Sequence, residues 1–287
     1  MKKTLFILLM TVLFIVSGCN TTDKLQQSDA KERIISLIPS NTEILYDLGV
    51  YKEIIGVSTV DDYPKQVKDK EKFDGMKLDY EAILKAKPTI VFAHQSMEKA
   101  QEKTLQKLKS KGIKVVVVQD AHSFDSLYKS IEQIATVTHK EAEGKALIKD
   151  IKRQIQETAI KYKKDVQGKK VFLEISSHPD IYTGGNHTLM NDLLKQLGAV
   201  NIFSGIEGYQ AVSSEAIVKK NPDIIISTSG LSNAALIKEV KSRNGFKHVE
   251  AVKQNQIYAV DPDTVSRPGP RIAQGMETIA KAIAHEK

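Results

Sequence analysis

The 287-residue chain has no tryptophan and a single cysteine, Cys19. One cysteine excludes an intramolecular disulfide and excludes the paired-cysteine spacing of a structural zinc site. A Gly-x-Ser-x-Gly elbow, a glycine-rich phosphate loop ending in Lys-Ser/Thr and a His-Glu-x-x-His pair are also missing, and with them the local signatures of α/β-hydrolases, P-loop nucleotide hydrolases and zinc proteases. The seven histidines are dispersed. His178 and His187 flank the Gly184-Gly185 turn, where exposed loop polarity accounts for them, and they form no histidine-rich metal-capture loop. A nucleophile needs a partnered base, and the sequence offers none. Catalysis is therefore not expected. Long apolar stretches are scarce as well: the run Leu5 to Val16 is too short for a comfortable membrane span.

That run has another use. Lys2 and Lys3 precede it as a basic n-region, and it closes on Val16-Ser17-Gly18-Cys19. This is the layout of a secretion signal over residues 1–18. Small residues before a cysteine resemble the bacterial lipobox, which implies cleavage before Cys19, acylation of its thiol and an anchored protein on the extracytoplasmic face of the cell membrane. The alternative for Cys19 is a buried structural thiol. Residues 19–32 are polar and without periodicity, as expected of a flexible tether.

The net charge is +7. From Cys19 onward, without Lys2 and Lys3, 40 basic residues face 35 acidic ones. The excess is spread over lysine-rich helix faces and never forms an aromatic-laced stripe, so nucleic-acid binding is not expected. A positive face near anionic lipid is the plainer reading.

Beyond the tether, short apolar runs alternate with helical patterns: Ile34–Leu37, Ile54–Val57, Thr89–Ala93, Val115–Val118, Val171–Ile175, Asp223–Ser227 and Ile257–Val260. Runs this continuous, separated by helices, predict parallel strands covered on both faces. Residues 140–167 differ, being long, charged and free of glycine and proline apart from Gly144. Leu147, Ile151, Ile155, Thr158 and Tyr162 form a narrow stripe there, which predicts one long helix joining two lobes and lying inside neither. The expected organisation is an N-terminal lobe over 33–139, the connecting helix over 140–167 and a C-terminal lobe over 168–287.

The two lobes repeat one phrase. Glu81-Ala-Ile-Leu-Lys-Ala-Lys-Pro88-Thr-Ile-Val-Phe-Ala93 is echoed by Glu215-Ala-Ile-Val-Lys-Lys-Asn-Pro222-Asp-Ile-Ile-Ile-Ser227, and Leu48-Gly49-Val50 by Leu197-Gly198-Ala199. In each copy a short helix is closed by a proline that delivers the chain into a buried strand. Two related α/β lobes enclose a cleft where a small ligand fits. Glu81 and Glu215 open the repeated helices, with Asp79 and Ser213-Ser214 as candidate caps. They have two readings that are compatible: complements to the helix dipole, or a pseudo-twofold pair of anionic points for a partner bearing arginines.

Arg33-Ile-Ile-Ser-Leu-Ile-Pro-Ser-Asn-Thr-Glu43, Gly56-Val-Ser-Thr-Val-Asp-Asp-Tyr-Pro64, Gly75-Met76 and Arg267-Pro-Gly-Pro-Arg271 together resemble the helical-backbone solute-binding proteins that serve ABC importers of cobalamin, siderophores and haem. Among these, vitamin B12-binding proteins are the nearest match. The resemblance runs from Arg33 to Ala284. It implies two Rossmann-like lobes with mainly parallel sheets, rigidly linked by one helix, with Glu81 and Glu215 docking onto arginines of a permease/ATPase complex. It implies a monomer that captures a small molecule, with no resident cofactor and no metal of its own.

The resemblance also places Phe73 and Tyr209 where that family has aromatic contacts. Val60 and His94 depart from aromatics at their positions. His94 has three readings: ring packing, a polar contact, or ligation of a metal centre. Met76 is either core filler or, with a histidine, an axial ligand for haem; the second lobe offers Thr228-Ser229-Gly230 where such a histidine would stand. Arg267 is the clear cation for an anionic siderophore, or else pins its own loop through backbone carbonyls. The expected ligand site is Tyr63, Phe73, Met76 and His94 on one side with Tyr209 and Arg267 on the other. A corrinoid is the expected ligand, and a ferric siderophore or haem the alternative.

Overall fold

A computed structural model describes residues 32–285. Cys19, the leader and nearly all of the tether lie outside the described residues. The first half runs β1 (Ile34–Ser36), α1 (Pro39–Asp47), β2 (Ile54–Ser58), β3 (Glu71–Phe73), α2 (Tyr80–Lys85), β4 (Ile90–His94), α3 (Gln95–Ser110), β5 (Lys114–Val118) and α4 (Phe124–Val137). Its five strands are all parallel, in the order β3-β2-β1-β4-β5. Every residue of β4 is buried, as an unbroken apolar run requires when helices cover both faces.

α5 (Glu141–Val166) leads into the second half: β6 (Lys170–Ser176), β7 (Tyr182–Gly184), α6 (Leu189–Leu197), β8 (Val200–Asn201), β9 (Tyr209–Ala211), α7 (Ser214–Lys220), β10 (Ile224–Ser227), α8 (Asn233–Ser242), α9 (Glu250–Lys253), β11 (Ile257–Ala259), α10 (Pro262–Val265) and α11 (Ile272–Ile283). Here the sheet is mixed. β11, β10, β6 and β8 are parallel, whereas β7 pairs antiparallel with both β6 and β9. The antiparallel pair escapes an apolar-run reading because Tyr-Thr-Gly and Tyr-Gln-Ala are short and half polar; Thr183 is held inside by donating its hydroxyl to Leu173 O at 2.6 Å. β3 escapes it too, with only Phe73 of its three residues buried.

The repeated phrase is a repeat of topology. Four parallel strands stand in the same order in each half, β2-β1-β4-β5 and β8-β6-β10-β11. Asp79 caps α2 by accepting from Ala82 N at 3.0 Å, and Ser213 caps α7 by accepting from Ala216 N at 3.2 Å. Both helices end on a left-handed residue before the proline, Lys87 (φ 51°) and Asn221 (φ 43°). The strain is compensated locally in each copy. Arg33 donates to the carbonyls of Ala86 and Lys87, and Asn221 Oδ1 accepts from Glu250 N at 2.8 Å.

α5 carries 26 residues, about 39 Å of helix at 1.5 Å per residue. Its buried stripe is Gly144, Ile148, Ile151, Ile155, Thr158, Tyr162 and Val166, with Leu147 partly buried alongside. The helix is packed against both halves. It packs on α4, α6 and α11, and one hydrophobic cluster runs from Ile34 and Phe92 through α5 to Val171, Leu173, Leu194 and Ile279. Gly144 permits the closest part of this packing: a β-carbon there would lie 2.6 Å from Ala135 Cβ on α4. Among the described residues no helix is long and apolar enough to cross a membrane.

Candidate functional site

The carboxyl ends of parallel strands are where an open α/β sheet leaves loops free to meet a ligand. Here the loops of the two halves are joined first by charge. Glu43, on α1 just past β1, is 2% exposed. Arg271 from the loop before α11 donates to it twice, Nε to Oε2 at 2.9 Å and Nη2 to Oε1 at 2.6 Å. Arg267 Nη1 lies 3.4 Å from Glu43 Oε1 and 2.7 Å from Asp62 Oδ1, while its Nη2 lies 2.7 Å from Asp263 Oδ1. Gly269 passes directly over Glu43; a β-carbon there would sit 3.4 Å from Oε2.

These groups shift one another's protonation. The hydrogen bond from Arg271 to Glu43 leads the causes that raise the guanidinium's pKa. For Asp62 burial favours the neutral acid, but the hydrogen bonds from Arg267 and Asp263 together with the charge of Arg267 outweigh it and hold the carboxyl below its usual range. Asp263 is pushed up, by burial and then by its neighbour Asp62. Arg267 was expected either to face a ligand or to grip its own loop's carbonyls. Its partners are instead carboxylates, two of them from the other half of the chain.

Of the exposed apolar side chains, Tyr63 touches this bridge. Tyr63 is 42% exposed, and the Arg271 guanidinium lies 4.0 Å from its ring centroid. Val60 is 67% exposed and Met76 is 84% exposed, so Met76 is not core filler. The Met76 turn is built by Asp74, whose Oδ1 accepts from Met76 N at 2.8 Å and Lys77 N at 3.3 Å. Gly75 lets that turn lie against the end of β1: a β-carbon there would meet Leu37 O at 2.7 Å. Tyr209, on the edge strand β9, is 51% exposed.

Two expected walls are placed elsewhere. Phe73 is 5% exposed in the core between β1 and α3, its ring covering Gly56, so it supports the site from below and offers no face to a ligand. His94 is the last residue of β4, buried, and its side chain caps α3 by accepting from Ser96 N at 3.3 Å. Nδ1 also lies 3.1 Å from Asp120 Oδ1. Burial lowers the His94 pKa against the pull of Asp120, and His122 reinforces the lowering. A neutral ring cannot both accept from Ser96 and donate to Asp120 through Nδ1, so the helix cap and the carboxylate contact are alternatives set by the tautomer. Burial, and then Asp120, raises the Tyr209 hydroxyl pKa, so His94, Asp120 and Tyr209 form one neighbourhood drawn from both halves. No group of three or more His, Cys, Asp or Glu side chains among the described residues is placed to hold a metal ion.

Glu81 and Glu215 stand apart from this site, both exposed in the first turns of α2 and α7. The bond to its own backbone N–H, then that from Ser213, keeps the Glu215 carboxyl below its ordinary range. Sequence reading missed Glu43, Asp62, Asp120, Asp263 and Arg271 as site residues. Glu43 and Arg271 do lie at the ends of quoted motifs, yet they are 228 positions apart and no periodicity connects them.

Two α/β halves sharing a core, with loops of both meeting at one charge bridge, have the architecture of a solute-binding protein. The chain belongs to the periplasmic binding protein family, whose model matches residues 34–264. It is 42% identical over 255 residues to the ABC transporter substrate-binding lipoprotein YvrC of Bacillus subtilis, covering 88% of this chain and 80% of that one. A solved structure from Staphylococcus epidermidis, described as a possible iron-binding periplasmic solute-binding protein, is 47% identical with a TM-score of 0.83, covering 88% of this chain and 98% of that one. The periplasmic vitamin B12-binding protein of Vibrio cholerae is 27% identical with a TM-score of 0.74, covering 89% and 98%.

Proposed function

We propose that this chain is the extracytoplasmic, lipid-anchored substrate-binding protein of an ABC importer, and that it captures a corrinoid between its two halves. The observation that carries the ligand reading is the exposure of large apolar side chains on the loops that follow β2 and β3, Val60, Tyr63 and Met76, and of Tyr209 in the second half. A corrinoid is a broad, largely apolar disc rimmed by amides. It calls for flat apolar walls and scattered hydrogen-bonding groups, which these residues with Asp62 and Asp120 supply. The family and the B12-binding relative support the same reading. Its roles are Tyr63, Met76 and Tyr209 as walls, Arg267 as a bridge, Glu81 and Glu215 as docking points for the permease, and Cys19 as the anchor.

The staphylococcal relative, described as possibly iron-binding, supports a second reading, capture of iron in the same place, for which we take a ferric siderophore as the ligand. Titration of the purified protein with cyanocobalamin, a ferric hydroxamate and haem, followed by heat and by tyrosine fluorescence, separates the two. Saturable binding of cyanocobalamin is expected. Tight binding of the hydroxamate with no response to cyanocobalamin sinks the corrinoid assignment.

A further inference from the structure

The molecule and its ligand edge have opposite charge. The chain carries +7, yet the five charged side chains that bridge its halves, two arginines against Glu43, Asp62 and Asp263, sum to −1. Around them the same edge presents Asp74 and Asp120. The neighbouring Lys72 turns its ammonium onto the Asp61 carbonyl at 2.8 Å. Lys77, exposed like Asp74 in the same turn, offsets that carboxylate, which leaves Asp120 as the added negative charge.

Both arginines are already engaged. Arg267 spends Nη1 on Asp62 and Glu43 and Nη2 on Asp263; Arg271 spends Nε and Nη2 on Glu43 and its face on Tyr63. A carboxylate on an incoming ligand either approaches the remaining donors, Arg271 Nη1 and Arg267 Nε, beside three carboxylates already in place, or takes an arginine from one of these partners. Taking it from Glu43 strands a buried charge. Taking it from Asp62 or Asp263 leaves that carboxylate facing the newcomer, a like-charge contact that penalises the wrong ligand.

From this we infer that the site selects neutral or cationic ligands and rejects carboxylated ones, with Asp62 and Asp263 as the residues that set the preference. The inference rests on the reading that the ligand sits between the halves, and it names the ligand's charge class, independent of its scaffold. It separates a neutral or cationic macrocycle from haem, whose two propionates are anionic, and from carboxylate siderophores.

Matched pairs test it on the full mature chain by calorimetry: cyanocobalamin with its monocarboxylic acid, haem dimethyl ester with haem, and a neutral ferric hydroxamate with a carboxylated derivative. For whichever scaffold binds, the neutral member is expected to bind about tenfold tighter or more. That ratio should shrink in wild-type protein as salt is raised, and shrink toward one in Asp62→Asn with Asp263→Asn. The salt series needs no variant, so a misfolded double mutant does not blunt the test. Equal or tighter binding of an anionic member, a ratio indifferent to salt, or no binding of any neutral member overturns the inference. A silent cobalamin pair beside a bound neutral hydroxamate overturns the corrinoid reading and leaves the charge rule standing.

Discussion

At the scale of single residues, Glu43 is the most consequential side chain that the sequence did not reveal. Glutamate on a helix beginning Pro-Ser-Asn-Thr gives no sign of burial, and its partners become neighbours only when the last helix folds back. Glu43→Ala strips Arg271 and Arg267 of a buried counter-charge, and breaking such a pair costs about 3–5 kcal/mol. Urea denaturation should show a loss of that size; a loss near zero would mean that the bridge is solvated and dispensable. His94 makes a second residue-scale prediction. Its pKa is depressed below the ordinary 6.5 by burial, so the unfolded chain binds its proton first. The stabilisation is present above that value and is lost as pH falls through it. Stability should decline from pH 7 toward pH 5, and His94→Gln should decline less steeply. Met76 and Tyr63, both in short motifs, stand exposed, whereas Phe73 is buried, because a motif cannot say which face of a three-residue strand points inward.

At the scale of elements, seven apolar runs located seven strands, and the stripe on α5 was found with three of its members missing. What stayed hidden were β3, β7, β8 and β9, two or three residues each and each partly or wholly exposed, so no apolar run marks them. Gly144 illustrates how packing overrides propensity. In an isolated helix Gly144→Ala would gain about 0.8–1 kcal/mol. Here the new methyl would lie 2.6 Å from Ala135 Cβ, between two backbones that cannot yield cheaply. Overpacking of that kind costs about 1–3 kcal/mol, so the balance should be a loss. Ala135→Gly in the same chain should return much of it, and thermal denaturation of the single and double variants reads out the coupling.

For the whole molecule, the internal echo was the most informative signal, since it announced two halves of common topology. It could not announce that they share a core, because Ile34, Ile155 and Ile279 belong to three different patterns. A shared core predicts that calorimetry finds one unfolding transition, with no separable step for either half. If Glu81 and Glu215 dock the permease, Glu81→Ala with Glu215→Ala should abolish uptake in cells while cyanocobalamin affinity, measured on the purified protein, stays the same. A collapse of affinity would instead move those glutamates into the ligand site.

The chain enters its fold through β1, the middle strand of the first sheet, bonded to β2 on one side and β4 on the other. A pull on the polypeptide ahead of residue 32 therefore runs along the axis of β1 and loads both ladders in shear. A strand at the edge would peel one bond at a time, whereas this one must lose its bonds together. Survival under such a load is governed by the rate of unfolding and not by the free energy of folding. The fold thus meets mechanical tension at its N terminus with an interior strand bonded on both sides.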